Sequence, residues 1–186
     1  MKKIKLFSAL VLAGSLFVAC SDDDDSTPEI VNEEEIITTV TVTLSPEDDG
    51  TDVTLQLQDL DGDGSGEPVY TVSGSLVANM VYNGSIVLLN ETESPAEDIT
   101  EEVEEESDEH QFFYTVESGL DLTTEYANFD GDSNPLGTEF TLTTGEASSG
   151  TITFTLRHEP TKPNDGTLAD AGGETDVEAV FTVNIE

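Results

Sequence analysis

The chain has 186 residues, 35% of them hydrophobic and none of them Trp, which suits one domain with a core of Val, Ile, Leu, Phe and Tyr. Five basic residues stand against 41 acidic ones, a formal charge of −36 at pH 7. That balance excludes ordinary nucleic-acid binding, which needs Lys and Arg to displace phosphate counterions, and it disfavours docking on anionic lipid headgroups. It favours cations, cationic partners or a salty medium.

The first five residues, MKKIK, are basic, and Leu6 to Ala19 is a short apolar run. The run falls below the ~20 residues of a spanning helix and reads as the apolar region of a signal peptide over residues 1–19. Phe17-Val18-Ala19-Cys20 resembles the lipobox of bacterial lipoproteins. Ala19 and Cys20 match it, and Phe17 stands where Leu is commonest. The resemblance makes Cys20 the acylated residue, a palmitate-type lipid anchor. Cys20 is the single cysteine, so a disulfide within one chain is excluded. Ser21-Asp22-Asp23-Asp24-Asp25 resembles the lipoprotein export signal of Bacteroidetes-type bacteria. That resemblance implies a protein anchored in the outer membrane and facing the cell exterior. Residues 20–35 are polar, acidic and aperiodic, and are expected to form a tether.

Strand patterns dominate from residue 36 to 186. Alternation appears in IITTVTVTL (36–44) and in DVTLQLQ (52–58). Short apolar runs follow at 69–72, 85–90, 111–116, 122–126 and 140–143. TITFTLRH (151–158) and VEAVFTVNI (177–185) alternate again. Turn signals such as DGDGSG, YNG and DGDSNPLG separate these runs. The pattern predicts an all-β fold, an antiparallel immunoglobulin-like β-sandwich of about eight or nine strands. An eight-stranded β-barrel is the alternative. One short acidic helix is expected near 97–108, where Ile99 and Val103 form a narrow apolar stripe one turn apart.

Three groups of residues offer chemistry. His110 and His158 each sit at a strand boundary beside acids. If their strands pair antiparallel, the imidazoles meet. With Glu106 or Glu159 they then form a site for a divalent transition metal such as Zn or Cu. The alternative is two exposed histidines on an acidic surface. Asp59, Asp61 and Asp63 open a calcium-type loop that lacks its twelfth-position acid, with Glu67 as a substitute ligand. Asp130 and Asp132 form a similar turn. Both are oxygen-rich enough for Ca, and equally explained as acidic turns. The long span from Arg157 to Asp176 holds both basic residues that follow Cys20, Arg157 and Lys162. No nucleophile elbow, P-loop or zinc-protease motif is present in the sequence, and the expectation is a protein that is not an enzyme.

EDITEEVEEESDEHQFFY and the segment from RHEPTKPNDG to the final NIE, with the DLDGDG turn, resemble a family of small surface lipoproteins of the same bacteria. The family carries the label "type 1 periplasmic binding fold superfamily protein". The label denotes a two-lobed α/β fold of about twice this length, whereas the residues here predict strands. The resemblance implies association with a TonB-dependent outer-membrane receptor and supplies no catalytic residues. The leading expectation is a lipid-anchored protein that binds a metal ion or metal complex and hands it to such a transporter. A calcium-stabilised structural or adhesion module is the alternative, and a polysaccharide-acting hydrolase comes third. Cys20→Ala is expected to abolish incorporation of labelled palmitate and to shift the protein from the membrane to the soluble fraction.

Overall fold

A computed structural model describes residues 35–60 and 66–186. Cys20 and Ser21 to Asp25 lie outside the described residues, as do Asp61 and Asp63. Glu34–Glu186 form one compact unit. Its strands are β1 (Thr39–Pro46), β2 (Val53–Gln58), β3 (Val69–Val72), β4 (Val81–Asn90), β5 (Glu97–Asp98), β6 (His110–Val116), β7 (Leu122–Tyr126), β8 (Glu139–Thr144), β9 (Ser148–His158) and β10 (Glu174–Ile185). They form two antiparallel sheets. One runs in the order β3-β2-β1-β4-β8-β7, with β5 added to β4, and the other is β10-β9-β6. The sheets do not close into a barrel, and the architecture is an all-β sandwich. Every run with strand periodicity becomes a strand, and β5 is a two-residue addition.

Period-two alternation explains which faces are buried. Val40, Val42 and Leu44 of β1 turn inward while Thr41 and Thr43 are half-buried. Phe112, Ile152, Phe154, Leu156, Phe181 and Val183 supply the small sheet's side of the same core. β3 is different: its apolar residues Val69, Tyr70 and Val72 are exposed because it is an edge strand. Helix α1 (Ile99–Glu105) is shorter than expected and starts later. Asp98 caps it, its carboxylate accepting the Thr100 N–H at 3.0 Å. Ile99 and Val103 are both buried, so the expected stripe is the face that docks. A second helix, α2 (Leu168–Ala171), is one turn in the loop between β9 and β10.

The corner below α1 is fastened by Lys162. Its ammonium donates to the carbonyl oxygens of Ser107 and His110, both at 2.6 Å, and to Asp130 Oδ2 at 3.4 Å. A lysine side chain only 6% exposed is tolerable because all three donors have acceptors. Gly84 of β4 lies directly opposite Phe140 of β8, whose ring covers it, and a β-carbon there would overlap the ring. Gly84→Ala is therefore expected to destabilise the domain by about 1–3 kcal/mol in urea denaturation, through overpacking.

Candidate metal centre

β9 carries an inward row of Ile152, Phe154 and Leu156, and strand period two puts His158 next on that face. On β6 the same logic runs from Phe112 to His110. The antiparallel register sets His110 directly opposite His158. The ring centroids are 4.6 Å apart and the planes cross at 55°. The two imidazoles thus meet at the end of the core.

Two carboxylates join them. Thr175 opposes Arg157 and Val177 opposes Leu156, so Asp176 is an extra residue in a β-bulge. A bulge re-aims its side chain, and Asp176 reaches the histidines. Glu35 arrives from the segment leading into β1. Glu35 Oε1 is 3.0 Å from His110 Nε2, and Glu35 Oε2 is 3.5 Å from His158 Nδ1. Asp176 Oδ2 is 4.0 Å from His110 Nε2, and its Oδ1 is 3.9 Å from His158 Nδ1. One ligand atom from each of the four residues lies within 4.8 Å of the other three. Side-chain exposure is 0% for His110, 5% for His158 and Glu35, and 1% for Asp176.

The hydrogen bonding is uneven. His110 Nδ1–H donates to the Glu106 carbonyl at 3.2 Å, which orients the ring and leaves Nε2 facing Glu35. His158 makes no hydrogen bond at either ring nitrogen among the described residues, although both atoms are buried. Glu35 Oε2 is likewise buried without a hydrogen-bond partner. Buried polar atoms are normally bonded. An imidazole and a carboxylate oxygen so placed are ready acceptors for a cation. Two imidazoles and two carboxylates make a mixed nitrogen and oxygen set that suits Zn or Cu(II). A tetrahedral zinc shell needs ligand atoms about 3.3 Å apart, within reach of small side-chain rotations from the present spacing.

The electrostatics follow from burial and crowding. Burial pulls the His110 imidazole down, but the Glu35 hydrogen bond and charge, the Glu106 carbonyl and the Asp176 charge leave it above its ordinary value. Burial pushes the Glu35 carboxyl up, and the hydrogen bond from His110 and the charges of both histidines bring it below its ordinary value. Glu102 is raised, by partial burial first and then by the charges of Glu35, Glu106 and Glu97. An open groove of Glu97, Asp98, Glu101, Glu102, Glu105 and Glu106 runs along α1 beside this cluster.

Of the four expected ligands, the structure brings His110 and His158 together. Glu106 takes part through its backbone carbonyl, because its side chain lines the α1 groove. Glu159 lies with Glu109 on the other side of His158, outside the inner four. Glu35 and Asp176 take the expected carboxylate places. By sequence Glu35 belongs to the expected tether over residues 20–35, and strict alternation before Val177 turns Asp176 outward.

The two Asp-Gly turns differ in what they offer calcium. Asp59 and Glu67 line one shallow hollow with Gln58, Leu60, Gly66 and Val69, next to the segment outside the described residues. In the other turn, Asp130 Oδ1 accepts the N–H groups of Asp132 and Asn134 at 2.9 and 2.8 Å, and Oδ2 faces Lys162. The Lys162 ammonium lies 3.4 Å from Asp130 Oδ2, and Asp132 is exposed. The turn is closed by hydrogen bonds and an ion pair.

Scanned against family models, curated proteins and solved structures, the chain matches none.

Burial raises the Asp130 carboxyl, but the Asn134 side chain, the N–H groups of Asn134 and Asp132, and the Lys162 charge bring it below its ordinary value of 3.8. A depressed carboxyl stabilises the fold above its unfolded value and loses that contribution as pH falls through the folded one. Asp130→Asn is expected to cost about 1–3 kcal/mol at pH 7, since it leaves Lys162 short of an anion. The deficit should shrink below pH 3.8, as read by urea denaturation at both pH values.

Proposed function

We propose that this chain is a lipid-anchored protein of the outer cell surface whose sandwich domain binds a divalent transition metal, zinc or copper, through Glu35, His110, His158 and Asp176. In this reading it is not an enzyme, and it passes the metal, free or complexed, to a TonB-dependent receptor. The observation that carries the metal reading is the buried His158 ring, whose two nitrogens make no hydrogen bond among the described residues, facing a second imidazole and two buried carboxylates. Four protein ligands complete a tetrahedral shell, the arrangement that holds a metal rather than exposing it to substrate. The acidic surface raises local cation concentration around it. Glu35 is the one ligand that stands outside a strand, while the other three lie on the small sheet.

Near-complete burial of the ligands favours a second reading, in which the metal is a permanent structural clip. The two differ in exchange. A carrier gives its metal to a chelator within minutes, while a clip holds it until the domain unfolds.

The metal-stripped protein is expected to bind zinc by calorimetry and to gain thermal stability. At about 100 times the dissociation constant the gain is about 2.7 kcal/mol, a rise in Tm of about 5–10 °C for a domain this size. His110→Ala and His158→Ala should each remove the rise. An unchanged melting curve in the unsubstituted protein would reject the site.

A further inference from the structure

His158 belongs to two groups of ligands. Its Nδ1 faces Glu35 and Asp176 in the inner cluster, while its Nε2 faces outward, 3.9 Å from Glu109 Oε2. Glu109, His158 and Glu159 each present a ligand atom within 4.8 Å of the others. We propose a second, outer cation site made of His158 Nε2, Glu109 and Glu159, so that one imidazole bridges two divalent transition-metal ions. This rests on the inner site proposed above.

Three observations support it. His158 Nε2 is buried and makes no hydrogen bond among the described residues, although it is aimed at a carboxylate. A nitrogen that merely closed the core would be bonded or replaced by carbon. The two acids are held next to each other by backbone: the Glu159 N–H donates to the Glu109 carbonyl at 2.7 Å, and the Glu109 N–H to the Glu106 carbonyl at 2.8 Å. Glu159 has φ +47°, a turn immediately after β9, and Gly173 lies so close to the His158 carbonyl that any side chain there would clash. The third observation is charge. Each cation meets two carboxylates, Glu35 and Asp176 inside, Glu109 and Glu159 outside, so four carboxylates stand against four positive charges and the bridging ring adds one further negative charge.

The two sites differ in access. Glu109 is 53% exposed and Glu159 is exposed, so the outer ion keeps open positions for water or an incoming ligand. Neutral imidazole has a lone pair on only one nitrogen. Ligation at both therefore releases its remaining N–H proton to solvent, leaving a bridging imidazolate.

The test is to titrate the metal-stripped full chain with Zn²⁺ at physiological salt and count bound ions by calorimetry and native mass spectrometry. Two equivalents are expected. E109Q/E159Q should lose one and keep the other, and E35Q/D176N should lose the inner one. A single equivalent untouched by E109Q/E159Q would overturn the outer site and leave the inner reading standing. Two equivalents untouched by it would place the second ion elsewhere and also overturn the proposal. No binding at all would reject both sites. Loading with Cu²⁺ checks the bridge: coupling through the shared imidazolate lowers the paramagnetic resonance signal below that of two isolated ions, and full intensity would overturn the shared ligand.

Discussion

The pairing of β6 with β9 in one register sets His110 opposite His158 on the core-facing side of the small sheet. A slip of one residue would turn the whole row of Phe112, Ile152, Phe154 and Leu156 to the wrong face, so the core enforces the register. The same constraint carries two imidazoles to the end of the interior, where Glu35 and Asp176 are buried with them. Burying carboxylates costs several kcal/mol each unless charge and hydrogen bonds offset it. The hydrogen bond between His110 and Glu35 offsets part of that cost. It does not serve the ring nitrogens of His158, which make no hydrogen bond among the described residues.

The domain handles a neighbouring acid differently. At Asp130 the chain supplies its own cation, Lys162, together with donors from the turn. The Lys162 ammonium also holds the carbonyl oxygens of Ser107 and His110, so it anchors the start of β6 and with it one of the two histidines. In a chain with five basic residues in all, placing one of them here stiffens the support of the histidine cluster.

The strands were legible because period-two alternation reports burial directly, as in Val40, Val42 and Leu44. The helix was legible from Ile99 and Val103, although it runs only from Ile99, after the Asp98 cap, to Glu105. The histidine pair was legible because both residues sat at strand boundaries where antiparallel pairing would join them. Its carboxylate partners were not. With 41 acids in the chain, no single Glu or Asp stands out, and Glu35 resembled the acidic segment before it. Asp176 depends on a bulge that shifts the register by one residue, and alternation in the sequence argues the opposite orientation. The Asp130 turn shows the converse. Asp, Gly and Asn suit calcium and suit a hydrogen-bonded turn equally, and the contact from Lys162, 32 residues away, could not be read from that turn.

The central claim is that one metal ion sits between two histidines and two carboxylates. X-ray absorption at the zinc edge tests it most directly, on protein loaded with a single equivalent. An ion held by His110, His158, Glu35 and Asp176 gives a first shell of nitrogen and oxygen at about 2.0–2.1 Å, no sulfur, and outer-shell scattering from two imidazole rings. A shell of oxygen alone, without imidazole scattering, would place the ion on the acidic surface and contradict it.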